Sequence, residues 1–404
     1  MSAKPASLRD EFPLLAAVPD LHYLDSAATA QIHRSALDAV LRHETTSRAN
    51  VSRGTYRLAE AADLAYERAR QTAARFLNAN SPDEIVFTSG ATASLNLVAH
   101  AFGNTLQAGD RVLISVAEHH SNFVPWQMLR ERTGIELALI PVTASGQLDL
   151  ARLLELMGSR CRLVSVTHLS NVTGAWTDVA TLVDAARTVG AKVLLDGAQA
   201  VQHGPQDVRA LGIDFYAFSG HKCFGPGGVG VLWGRGEVLA AMPPFLAGGG
   251  MIASVTPEAT TWAEPPQRFE AGTPPIAQAV GLAAALEWML SLSWPQIHAR
   301  ESRLGELLIE GLLRIPGLRL LGPAPTAQRA PIVSFDLPGL HPHDICQVLD
   351  TQQLALRGGH HCAQPLLAAL GFDVCTRASI ALYNDEADIQ ALLDGLKFAL
   401  QELA

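Results

Sequence analysis

Cysteine is scarce in this chain of 404 residues: there are five, without matched spacing. That is too few for a disulfide framework, and they read as reduced thiols in a cytoplasmic setting. Basic charge is also in deficit. Lys and Arg number 30 against 39 Asp and Glu, a net of −9, which argues against a nucleic-acid surface or a polybasic membrane anchor and leaves a small molecule as the default ligand. No long window is purely apolar. The most apolar one, 276–294, contains Gln278 and Glu287 and predicts a buried amphipathic helix, not a membrane span. The opening MSAKPASLRDEFPLL lacks the charged start, apolar stretch and small-residue cleavage site of an export signal, so export is not expected. No internal repeat or low-complexity tract is visible.

What is present is a globular composition: 48% apolar and 17% charged residues, with 33 Gly and 23 Pro spread along the length, which excludes disordered, collagen-like and coiled-coil classes. The length suggests two or three domains. From about 58 to 235, β-rich runs alternate with helix-period stretches, the pattern of helices packed on a mostly parallel sheet. The runs are 84–88, 111–116, 135–142, 162–168, 191–195, 215–219 and 229–233. Residues 242–275, rich in Gly and Pro, predict an ordered loop. Helical patterns at 276–292 and 295–313 follow, then short strands and helices interrupted by a turn-rich stretch at 322–331. The expected organisation is an α/β large domain over 31–275 and a smaller α+β domain over 276–404, with residues 1–30 packed against the smaller one.

The most informative stretch is LLDGAQAVQHGPQDVRALGIDFYAFSGHKCFGPGGVGVLW, residues 194–233. Asp196 ends one apolar run, Gln199 follows three residues later, and Ser219-Gly220-His221-Lys222 ends another. In an open α/β sheet, strand ends are where ligands bind. A carboxylate, an amide and a lysine gathered there suit pyridoxal phosphate: the lysine forms the imine, and a buried aspartate keeps the pyridinium nitrogen protonated. Taken singly, the aspartate reads equally as a turn or cap residue and the lysine as a surface group. Gly90-Ala91-Thr92 lie between a strand and a helical pattern, where free N–H groups and a hydroxyl suit a dianion, or form an ordinary cap.

Residues 21–30 LHYLDSAATA, 115–126 SVAEHHSNFVPW, 168–174 HLSNVTG, 196–200 DGAQA, 214–222 DFYAFSGHK, 269–274 FEAGTP and 357–365 RGGHHCAQP resemble, in the same order, the cysteine desulfurase and selenocysteine lyase family. The likeness is greatest to the bacterial group with a short cysteine loop, which includes cysteine sulfinate desulfinases and iron–sulfur assembly desulfurases. The resemblance implies a fold type I, aspartate-aminotransferase-like homodimer that uses pyridoxal phosphate. By it, Lys222 is the Schiff-base lysine and Asp196 the pyridinium partner; Gln199 bonds the phenolic oxygen, and His119 stacks on the ring and donates a proton. Thr92, Ser219 and His221 match phosphate ligands, with Ala91 beside them, and Thr273 is contributed by the other subunit. Arg377 clamps the substrate carboxylate with help from Asn171, while Arg357 and His360 line the sulfur end. L-cysteine is the implied substrate, and a sulfur-acceptor protein the implied partner.

Cys362 lies in a Gly- and His-rich turn before a helix-period run, a setting that favours thiolate. The resemblance makes it the persulfide carrier. An inert buried thiol is the competing reading, and His360-His361-Cys362 are too closely spaced to converge on zinc. Cys161, Cys223, Cys346 and Cys375 read as packing residues. Ser89, Ala91, Ala93, Cys223 and Pro275 depart from the usual family residues without removing a group the chemistry needs. An aminotransferase of the same fold, or a non-catalytic sulfur-relay protein that keeps the cofactor fold, are the alternative functions.

Overall fold

The computed structural model describes residues 8–52, 54–324 and 329–403. The first seven residues of the expected N-terminal segment and 325–328 of the expected turn-rich stretch lie outside these. After a two-residue strand β1 (His22–Tyr23), the seven β-rich runs form one sheet. They are β2 (Ile85–Thr88), β3 (Arg111–Ser115), β4 (Glu136–Ile140), β5 (Cys161–Thr167), β6 (Lys192–Asp196), β7 (Phe215–Ser219) and β8 (Gly230–Gly234). Their spatial order is β2-β8-β7-β6-β5-β3-β4; β8 runs antiparallel to both neighbours, and every other pairing is parallel.

The sheet is covered on both faces, which is why its central strands are continuous apolar runs instead of alternating ones. Successive residues serve opposite faces. Leu195, Tyr216 and Phe218 enter one core with helix Arg57–Phe76, while Leu194, Phe215 and Ala217 enter the other with helix Ala91–Ala101.

Within the stretch 242–275 the structure holds a hairpin of β9 (Ile252–Val255) and β10 (Thr260–Trp262), where a continuous loop was expected. The β-branched residues of Ile-Ala-Ser-Val and Thr-Thr-Trp favour extended pairing, a local signal masked by the surrounding Gly and Pro. Helix Ile276–Leu290 packs on helices Arg34–Thr46 and Arg57–Phe76, and Ile276, Leu282, Leu286 and Met289 belong to the large core. The apolar packing of the large unit thus runs past the boundary expected at 275. Helix Trp294–Leu313 then leads to a four-stranded antiparallel sheet, β11 (Arg319–Leu321), β12 (Ile332–Asp336), β14 (Arg357–Gly359) and β15 (Cys375–Ser379), ordered β11-β12-β15-β14. β13 (Leu354–Ala355) pairs in parallel with β1, and Asp25 bridges Ser379. Phe12 and Leu15, further upstream, sit in the large core. Among the described residues no single helix is long and apolar enough to cross a membrane.

Candidate active site

The carboxyl ends of β2, β3, β5, β6 and β7 open into one cavity of about 530 Å³, closed on its far side by β14 and β15. Ala91, Thr92, His119, Asn171, Asp196, Gln199, Ser219, His221, Lys222, Arg357, His360, Cys362 and Arg377 all line it. Thr273 does not. It is exposed, its hydroxyl 3.4 Å from Asn50 Nδ2.

One end is an anion cradle. Helix Ala91–Ala101 starts at Gly90, which has φ of 156° and offers no side-chain cap. The backbone there is crowded from below: a Cβ on Gly230 of β8 would stand 2.4 Å from Gly90 Cα. The Ala91 N–H donates to Ser219 Oγ at 2.8 Å, and Thr92 Oγ1 lies 2.8 Å from Ser121 Oγ. Hydroxyls and helix-terminal N–H groups therefore face one point, where the helix dipole favours negative charge. His221 Nδ1 is 3.1 Å from Thr29 Oγ1, and burial lowers its pKa to about 4, so it is a neutral hydrogen-bonding group.

The opposite wall carries Asp196, buried at the end of β6 and accepting the Ala198 N–H at 3.0 Å. Burial raises its pKa. Gly197 passes so close to the Tyr216 ring that a Cβ would fall 2.1 Å from Cζ. Gln199 donates through Nε2 to the Ala27 carbonyl at 2.8 Å, leaving its second N–H for another acceptor. Between these ends is Lys222, in the turn after β7. Desolvation lowers its pKa from 10.5 to about 8, against the opposing pull of Asp196. His119 Nδ1 accepts the Ser121 N–H at 3.1 Å, which puts the ring proton on Nε2. Burial, then Lys222, lowers its pKa to about 4.

Arg377, on β15, is buried. It donates through Nη1 to the Asn171 carbonyl at 2.9 Å and through Nη2 to Asp25 Oδ1 at 3.2 Å, while its Nε has no partner among the described residues. The Asn171 amide itself turns to the His361 carbonyl at 2.7 Å. Arg357 lies directly across the β14–β15 ladder from Arg377 and grips Asp25 through Nε and Nη2, at 3.0 and 2.9 Å.

His361 and Cys362 both take left-handed backbone conformations, φ 51° and 54°, which cost roughly 1–2 kcal/mol each for residues other than glycine. Three elements hold the turn. The His120 N–H donates to the Cys362 carbonyl at 2.7 Å, Asn171 to the His361 carbonyl, and the His361 Nε2–H to the Cys375 carbonyl at 3.0 Å. The result is an exposed thiol at the cavity mouth, next to a backbone that is pinned. Burial drives the pKa of His361 down to about 3, so it stays a neutral strut.

Asp25, His343 and Glu118 were missed. Asp25 is one letter in LHYLDSAATA, with arginine partners more than 300 residues away. His343, at the start of helix Pro342–Asp350, lines the mouth. Glu118 is fully buried behind His119, where Thr167 N (2.9 Å), Asn122 Nδ2 (2.6 Å) and Ser115 Oγ donate to it, and burial raises its pKa to about 8. A carboxyl beside two histidines in AEHHSN was the one available signal.

Comparison with known proteins agrees with this geometry. The aminotransferase class-V family model matches residues 22–392. A probable cysteine desulfurase of Streptomyces coelicolor is 46% identical over 97% of this chain and 96% of its own length. A cysteine desulfurase of Cronobacter sakazakii is 43% identical over 98% of both chains. The crystal structure of the cysteine desulfurase CsdA from Escherichia coli superposes with a TM-score of 0.92 at 40% identity, covering 100% of each chain.

Proposed function

This chain belongs to the class-V aminotransferase family and is a pyridoxal-phosphate-dependent cysteine desulfurase of fold type I, and from that premise we propose the role of each pocket residue. The cavity fits the cofactor. Its anion cradle, with a glycine where a side chain would intrude, suits the phosphate held by Thr92, Ser219, His221 and the N–H groups near Ala91. Asp196 would hold the ring nitrogen, Gln199 the phenolic oxygen and His119 the ring face. When bound, pyridoxal phosphate supplies an electron sink for the pair left at the substrate's Cα.

Lys222 would hold the cofactor through Nζ and, as a free amine, would take the Cα proton there; a lysine with a pKa of about 8 is suited to both tasks. Asp196 keeps a proton on the ring nitrogen. Arg377 orients L-cysteine by its carboxylate, with Asn171 completing that wall and Arg357 and His360 at the sulfur end. Cys362 Sγ, as thiolate, attacks the substrate sulfur: the new S–S bond forms as the bond from sulfur to Cβ breaks, Cβ takes up a solvent proton relayed through His119, and Cα regains the proton held on Lys222 Nζ, leaving L-alanine and a persulfide. The observation that carries this reading is the convergence of Lys222, Asp196, His119, Arg377 and Cys362 on one cavity.

We also propose that the enzyme is a homodimer. Thr273 lies outside the cavity of its own chain, and helices Arg34–Thr46 and Arg57–Phe76 expose Leu37, Leu41, Leu58 and Leu64, surface that a second copy would cover. An exposed persulfide site suits a sulfur-acceptor protein, and five free thiols suit the cytoplasm. Alanine release from cysteine, cysteine sulfinate and selenocysteine, in wild type and Cys362→Ala, tests the assignment. No alanine from any of the three would refute it.

A further inference from the structure

Glu270 does not line the cavity, yet both oxygens of its carboxylate are engaged. Oε1 accepts from Arg70 Nη1 at 2.8 Å and from the Phe87 N–H at 2.7 Å; Oε2 accepts from Arg70 Nη2 at 2.8 Å and from the Tyr66 hydroxyl at 3.1 Å. Four donors fill the four acceptor positions of a carboxylate. The Arg70 and Glu270 side chains are both buried. Burial opposes the charge on Arg70, but the bonds from Glu270 outweigh it and raise its pKa, so the guanidinium stays charged.

The elements these bonds join are the ones a shared site needs. Tyr66 and Arg70 lie on helix Arg57–Phe76, which exposes Leu58 and Leu64 on the surface assigned to a second copy. Phe87 lies on β2, three residues before Gly90 and the anion cradle. Glu270 itself opens the segment Ala271-Gly272-Thr273, in which the Gly272 N–H donates to the Gly249 carbonyl at 2.8 Å. Three residues of chain reach at most about 10 Å, so the exposed Thr273 stays close to this anchor. One buried carboxylate therefore ties together the dimer-facing helix, the strand behind the cradle and the loop that carries Thr273. We propose that Glu270 is a positioning residue that acts across the dimer: it sets Thr273 at the phosphate held by the second copy, not at the phosphate of its own chain.

This inference rests on the proposed homodimer in which Thr273 serves the other copy. Its test follows cofactor release, independent of turnover. Mixed dimers are isolated from chains bearing two different affinity tags, one chain carrying Lys222→Ala, so that a single site holds lysine-bound cofactor and shows its visible band. That site takes Lys222 from one chain and Thr273 from the other. Glu270→Gln keeps the size and an acceptor for Phe87. Placed in the Lys222→Ala chain, it is expected to speed loss of the band on dialysis about tenfold, the range for one charge-assisted contact. Placed in the chain that bears Lys222, it is expected to leave release unchanged. Added to Thr273→Ala within the Lys222→Ala chain, it is expected to have no further effect. Equal effects in the two placements, or an effect that adds to that of Thr273→Ala, would mark a purely structural role and overturn the proposal. Glu270→Asp, which keeps the charge beside Arg70, is the second variant, with the same dependence on placement expected; failure of both variants to form mixed dimers would assign Glu270 to the fold and overturn the proposal too. If Thr273→Ala in the Lys222→Ala chain left release unchanged, the shared-site reading itself would fall. If it sped release and neither Glu270 variant did, this inference alone would fall.

Discussion

The backbone N–H of His120 donates to the carbonyl of Cys362 at 2.7 Å, so the loop that carries His119 and the turn that carries the thiol are fastened to each other through main-chain atoms. This tie does not depend on the cysteine side chain.

Cys362→Ala should therefore keep the turn, bind pyridoxal phosphate with an unaltered visible spectrum and release no alanine from L-cysteine. With cysteine sulfinate, where sulfite is a stable leaving group and no protein nucleophile is needed, the same variant should stay active. Alanine quantitation checks both. Cysteine turnover at the wild-type rate would move the persulfide to another thiol.

In its proposed role, Lys222 must be an unprotonated amine to capture the cofactor. Because desolvation holds its pKa near 8, below the ordinary 10.5, the rate at which apoenzyme takes up pyridoxal phosphate covalently should rise with pH and level off above about 8. Stopped-flow absorbance gives the profile; an inflection still climbing near 10 would contradict it. Lys222→Ala should retain no cofactor after borohydride and denaturation.

His119 is held neutral, with a pKa near 4 set by burial and by Lys222. It contributes no ionisation between pH about 5 and 8. The kcat/KM profiles of wild type and His119→Gln should then share the same inflections in that range, differing in height alone. An inflection near 6.5 that disappears in His119→Gln would refute this.

Arg377→Ala removes a buried guanidinium, strands the Asn171 carbonyl and leaves Asp25 with one partner. The loss in kcat/KM for cysteine should correspond to about 2 kcal/mol or more, roughly thirtyfold. Arg377→Lys should recover a part of it, because an ammonium cannot reproduce the fork.

Glu118→Ala strips the acceptor from three buried donors and should cost about 3 kcal/mol of stability by denaturant unfolding. The pH dependence has a definite sign. A carboxyl whose folded pKa is raised, here to about 8, contributes stability that is full below its ordinary pKa of 4.5 and fades as pH rises through the folded value. The Tm advantage of wild type over Glu118→Gln should therefore shrink as pH rises through about 8.

The large sheet was legible because its strands are buried on both faces and read as apolar runs; β7 was placed to the residue, and the other six to within about two. Lys222 and Asp196 were legible for the same reason, as polar letters ending those runs. The hairpin β9–β10 was hidden by flanking Gly and Pro, and helix Ile276–Leu290 was read as opening the small domain although its apolar face belongs to the large core. Asp25 was invisible in kind: local sequence carries no trace of a partner that becomes a neighbour through tertiary folding alone.

That separation has a consequence for how the enzyme is made. Asp25 leaves the ribosome early, while Arg357 and Arg377 follow 332 and 352 residues later. The large sheet can form during synthesis, since its strands are complete by Gly234. Throughout that interval Asp25 has neither arginine to meet, and the parallel pairing of β1 with β13 waits as well. The wall that carries Arg357 and Arg377 is thus among the last parts to assemble, and a chain cut short before Arg377 possesses Lys222 without the guanidinium proposed to orient a substrate at it.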